Sequence, residues 1–123
     1  MALSRGRLVN NVTNVSAGST VGIVTVSGDN NIYVKSILIH NLGLTTTSSV
    51  RAHVYYVPNG SSVSTNNQIF NVSIAQSESV LLEPSYPIVL TTTGDTISIG
   101  CTVESSTTNN AQINVIINGD KEV

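Results

Sequence analysis

The sequence predicts an all-β fold: one antiparallel β-sandwich domain of eight or nine strands. Three observations predict it. First, of 123 residues, 17 are Val and 12 Ile, against 5 Ala. β-branched side chains fit a pleated surface and lose rotamer freedom in a helix. Second, apolar and polar residues alternate in runs of four to ten, and no segment holds a helical period. Third, clusters of Gly, Pro, Asn, Asp and Ser separate these runs at short intervals.

The elements follow in order. Residues 7–15 (RLVNNVTNV) read as a weak first strand or an arm, and 20–26 (TVGIVTV) as a strand. SGDNN is a turn, with Gly28 and Asp29 suited to positive φ or local side-chain bonding. Residues 31–40 (NIYVKSILIH) are the third strand, NLGLTTTSS a polar loop, and 49–57 (SVRAHVYYV) the fourth strand. In PNGSS, Pro58 presets φ while Asn59 and Gly60 tolerate left-handed geometry. Strands follow at 68–74 (QIFNVSI), in VLLEP and at 88–92 (IVLTT), with Pro84 and Pro87 bracketing a bend. After the turn at 93–95 come strands at 96–103 (TISIGCTV) and 111–118 (AQINVIIN), separated by the polar loop ESSTTNN. The expected division is an N-terminal arm or edge strand over 1–12, a sandwich over 13–119 and a polar tail over 120–123.

Composition narrows the function. Ser, Thr and Asn number 17, 14 and 14, while 5 basic and 7 acidic residues carry all the formal side-chain charge. Such a surface offers few charges to repel a neighbouring subunit, and its short side chains lose little entropy when a contact orders them. A net charge of −2 is no footprint for nucleic acid, which is therefore not an expected partner. The start, MALSRGRLVNN, has no apolar core of a signal peptide, and no apolar run approaches the ~20 residues that cross a bilayer. The expectation is a chain made in a cytoplasm with no membrane partner, so the N-x-S/T patterns at Asn11, Asn14, Asn59 and Asn71 are read as chance.

No candidate for chemistry stands up. Alternation in 31–40 places Ile32, Val34, Ser36, Leu38 and His40 on one face and Tyr33, Lys35, Ile37 and Ile39 on the other, as in a central strand covered on both sides. Lys35 can lay its stem along apolar surface and send its ammonium to water or a carboxylate. His40 and His53 form no H-x-H or HExxH pattern, so both are read as structural, with a meeting across subunits left open. His53 shares a face with Arg51 and Tyr55 and points outward or toward a partner. Glu78 and Glu83 are read as solvated acids rather than a glycosidase pair. Asp95 is read as a turn residue bonding local backbone. Cys101, the one cysteine, closes no intrachain disulfide and reads as a buried inert thiol. No nucleotide, flavin or phosphate motif is present, so no cofactor or metal is expected. Tyr55 and Tyr56 point to opposite faces, which leaves Tyr55 a candidate interface anchor.

The strings YVKSILIHNLG, VRAHVYYVPNG and ESVLLEPSYPIVLTTTGDTISI resemble small virion proteins of tailed bacteriophages, marine and cyanobacterial phages among them. The resemblance covers roughly residues 20–118. It implies a jelly-roll-like sandwich, assembly into symmetric oligomers, and no catalytic residues. The expected function is a non-enzymatic virion structural protein, most directly a trimeric capsid decoration (cement) protein binding the major capsid protein or other virion subunits. Alternatives are a tail, neck or fibre-base component, a carbohydrate-binding adsorption module, and a small depolymerase. The first would be made in the bacterial host cytoplasm and end in the virion. Expected interface residues are Arg5 and Arg7 on the arm, with Tyr55 and His53.

Overall fold

The computed structural model describes residues 2–8, 12–42, 49–104 and 111–123. The middles of two expected loops, 43–48 and 105–110, and the Asn11 pattern lie outside the described residues. The strands are β1 (Leu3–Arg7), β2 (Thr13–Ser16), β3 (Thr20–Thr25), β4 (Ile32–Asn41), β5 (Val50–Val57), β6 (Gln68–Ile74), β7 (Ser79–Leu82), β8 (Ile88–Leu90), β9 (Thr96–Val103) and β10 (Gln112–Glu122). Among the described residues one 3₁₀ turn, Thr65–Asn67, precedes β6, capped by Ser64.

Two antiparallel sheets form. Sheet A runs β1–β10–β4–β7, with β2 also on β10 and β8 also on β4; sheet B runs β3–β9–β5–β6. Because β1 and β2 share one edge of β10, and β7 and β8 one edge of β4, each sheet has four strand positions. The chain crosses between sheets at nearly every connection, which is the jelly-roll arrangement. The two inner faces meet in an aliphatic core. Ile37, Ile39, Ile113, Val115 and Ile117 of sheet A face Val50, Ala52, Val54, Ile97 and Ile99 of sheet B, all inaccessible to solvent. Phe70 and Tyr56 are the rings packed against it. Asn41 on β4 donates to the Ile74 carbonyl at 3.1 Å, a buried bond that ties one sheet to the other.

The structure corrects the face assignment of β4. Ile32 and Val34 point inward, but so do Ile37 and Ile39 from the other expected face, and Asn41, while Leu38 is exposed. Opposite, Val34 pairs with Gly119 and Ser36 with Asn118, leaving Lys35 as an extra residue. A β-bulge inserts one residue and flips the pleat beyond it. The strand is therefore covered on one face, with two inward runs out of phase. On the other side of β4 the same level falls between β7, which reaches Leu82 opposite Ile37, and β8, which begins with Ile88 opposite Val34. The Pro84–Pro87 bend occupies that gap.

Two terminal assignments also change. The first strand expected over 7–15 is two, β1 and β2, both on β10. The end of the chain is strand, not tail: β10 continues through Glu122, and Asp120 and Glu122 are buried. Lys35 Nζ reaches an Asp120 oxygen at 2.7 Å, and exposed Arg5 Nε approaches the other at 3.8 Å. Glu122 accepts from the Asn31 backbone N–H (3.1 Å), the Asn31 amide (3.2 Å) and the Tyr33 hydroxyl (2.9 Å). Charged groups this buried persist only when paired or hydrogen-bonded, and both are.

Candidate functional site

The outward residues of the two sheets define three surfaces: the outer face of sheet B, the outer face of sheet A, and the β1 edge.

On sheet B, alternation along β5 sends Val50, Ala52 and Val54 into the core and Arg51, His53 and Tyr55 outward. Cross-strand register then assembles a polar network. His53 Nδ1 bonds Gln68 Oε1 at 2.9 Å, and Nε2 bonds Thr102 Oγ1 at 3.1 Å. Its ring stacks on Tyr55 with centroids 6.3 Å apart. Arg51 donates to Asn71 Oδ1 at 2.8 Å and to Glu104 Oε2 at 3.0 Å, and the Ser73 hydroxyl donates to Glu104. The Ser73 bond, with Arg51 beside it, holds the Glu104 carboxyl below the usual carboxylate range. Arg51, His53 and Glu104 are thus held by neighbours on the same face.

Arg5 and Arg7 lie elsewhere, on β1, whose five residues are all exposed. The four expected interface residues thus fall in two groups: His53 and Tyr55 together on sheet B, and Arg5 and Arg7 on the edge of sheet A. The two histidines do not meet within the chain. His40 is on the outer face of sheet A, where Nδ1 bonds Ser79 Oγ at 2.8 Å, and His53 is on the opposite outer face of the sandwich.

Sheet A presents a different surface, which the sequence reading missed. Ile116 on β10, Leu38 on β4 and Leu81 on β7 are directly opposite one another, forming an apolar row across three strands. Leu81 is 53% exposed and Leu38 36%. One step along, Asn14, Asn114, His40 and Ser79 form a parallel polar row.

An open groove of about 350 Å³ is lined by Tyr56, Pro58, Ser61, Asn66, Asn67, Gln68 and Ile69, with no carboxylate, histidine, cysteine or cation. Among the described residues no cluster of three His, Cys, Asp or Glu side chains could hold a metal ion. No helix among them is long and apolar enough to cross a membrane. Asp95, expected to bond local backbone, does so through Thr91 and Thr92 and reaches further. It also accepts from the Asn59 N–H at 2.9 Å and from the Tyr56 hydroxyl at 3.3 Å, tying the 58–60 turn to the 93–95 turn.

Cys101 faces the core beside Ile99, 1% exposed, and burial pushes its thiol up to about 11. It should resist a thiol reagent in the native protein near pH 8 and react stoichiometrically once denatured, since the thiolate is the reactive form. Prompt native labelling, followed spectrophotometrically, would contradict this placement.

No protein-family model matches the sequence, and neither does any curated protein. Among solved structures, the chain is similar to one from a Nora virus structure, at 13% identity and a TM-score of 0.49, covering 98% of this chain and 60% of that one. Chains from the structures of infectious bursal disease virus strains Gt and Gx are similar at 10% and 11% identity, with TM-scores of 0.43 and 0.39. This chain is covered to 98% in both, and spans 30% and 32% of theirs.

Proposed function

We propose that this chain is a non-enzymatic virion structural protein of a tailed bacteriophage: a capsid decoration protein that binds the major capsid lattice as a symmetric homo-oligomer, with the trimer as the repeating unit. The observation that carries the reading is an aliphatic jelly-roll core in a chain whose polar residues are mainly Ser, Thr and Asn, with few formal charges. Its polar groups serve the fold. His53 and Glu104 are bound within a sheet face, and Asp95, Asp120 and Glu122 lock turns and strand ends. The resemblance of residues 20–118 to small phage virion proteins supports the same reading.

Mechanistically, many weak contacts repeated by symmetry give avidity, so no single contact needs to be strong. The exposed β1 strand, with Arg5 and Arg7, adds directional contacts at an acidic neighbour. Tyr55, over its stacked His53, adds area on the sheet B face.

The test is sedimentation of the purified chain with capsids that lack it. Co-sedimentation that saturates at a symmetry-related stoichiometry is the expected result. Binding to isolated tails or fibres, with none to capsids, would replace decoration by the tail, neck or fibre-base role. Binding to neither would remove the virion role.

A further inference from the structure

We propose that the outer face of sheet A is a two-fold contact between copies of this chain, closed by the Val12–Ile116–Leu38–Leu81 row. Ile116, Leu38 and Leu81 are register partners across β10, β4 and β7. Val12, 47% exposed, directly precedes Thr13, which pairs with Val115, so the register carries it beside Ile116. The result is an apolar stripe four strand positions wide. Apolar stripes of this kind on a polar surface mark association sites.

The flanking rows show what covers it. Beside the stripe, Asn14, Asn114, His40 and Ser79 form one row, and Asn118 and Ser36 belong to the next. None of these is an acid, a lysine or an arginine. A two-fold contact brings each surface against itself, so a charged patch there meets its own sign. Around the stripe this face has none to meet: its charged groups gather at the bulged end, where Arg7 flanks Asn118 and where Arg5 and Lys35 reach Asp120, whereas sheet B carries Arg51 and Glu104 on its outer face.

The pattern is also self-complementary. Consider two sheets A packed face to face at about 10 Å with strands nearly aligned. Let the two-fold run parallel to the strands, between β10 and β4. Ile116 then opposes the partner's Leu38, and Val12 the partner's Leu81. Asn114 opposes the partner's His40, and Asn14 the partner's Ser79. At the bulged end, Lys35 is held by Asp120 of its own chain at 2.7 Å and so does not face the partner as an unpaired charge. Apolar meets apolar, and amide meets hydroxyl or imidazole. The contact does not depend on the virion reading, and it combines with a trimer wherever neighbouring trimers meet across two-fold axes.

The test is the solution mass of the full chain by sedimentation equilibrium at roughly 100 µM, where contacts of micromolar strength are populated. The expected mass is an even number of copies. Leu81→Asp should halve it, and Ser79→Lys should raise the dissociation constant about tenfold or more. Val63→Asp, at a 41% exposed position outside the row, should leave it unchanged. Because Leu81 and Ser79 are both exposed, circular dichroism and the melting temperature should stay close to wild type. A wild-type mass of one or three copies overturns the proposal. So does a folded Leu81→Asp protein of undiminished mass.

Discussion

Replacing Gly119 with alanine should cost the sandwich about 3 kcal/mol, toward the upper end for a single substitution. A Cβ built at Gly119 would overlap the Tyr33 carbonyl oxygen and crowd Leu8 Cδ1 at 3.1 Å. The obstacle is backbone, and the backbone is where it is because of the bulge. With Lys35 looped out, Gly119 pairs with Val34 and lies against the Tyr33 carbonyl. An added methyl must push β4 away from β10, and these strands carry much of the core on sheet A. Urea unfolding followed by far-ultraviolet circular dichroism checks it. The midpoint should fall with the slope unchanged, because the surface exposed on unfolding is the same. A midpoint within error of wild type would mean that the strands pair without the bulge.

The second large effect is at Asp95. Its carboxylate, 5% exposed, accepts the backbone N–H groups of Asn59, Thr91 and Thr92 and the Tyr56 hydroxyl. Gly94 beside it holds φ +96, and a Cβ there would run into the Asn59 side chain, so the two turns are fitted together. Asp95→Ala strands these donors and should destabilise by about 2–3 kcal/mol. The same bonds, that from Asn59 foremost, hold the Asp95 carboxyl below the usual carboxylate range. The folded value is depressed, so the stabilisation is fully present above the unfolded value near ~3.9 and is lost as pH falls through the folded value. Wild-type stability should therefore decline below about pH 4, and Asp95→Ala should show a shallower decline there. Denaturant midpoints between about pH 2 and pH 7 measure both. Parallel wild-type and variant curves would contradict the role given to this carboxylate.

The strands were readable because alternation is a local signal. His53 and Tyr55 face outward on β5 for the same reason that Val50, Ala52 and Val54 face inward. The phase slip in β4 was also visible, in the apolar spacing 32, 34 and then 37, 39, but a single alternation drawn through the whole run conceals it. The strand end at 119–122 was not legible. Asp120 and Glu122 look like solvated tail residues until Lys35, Tyr33 and Asn31, some 85 to 91 positions earlier, are placed beside them. The apolar row on sheet A escaped for a similar reason. Ile116, Leu38 and Leu81 each look like ordinary strand residues, and only the order β10–β4–β7 brings them together. Sequence gave the outward residues of single strands, and the surfaces needed the pairing of distant ones.

The most direct measurement of the central claim is electron cryomicroscopy of capsid particles prepared with and without this chain. Decoration predicts added density on the outside of the capsid at regular lattice positions, fitted by this jelly roll and missing from particles that lack the chain. Density confined to the tail or fibre base, or no difference between the two particles, would contradict it.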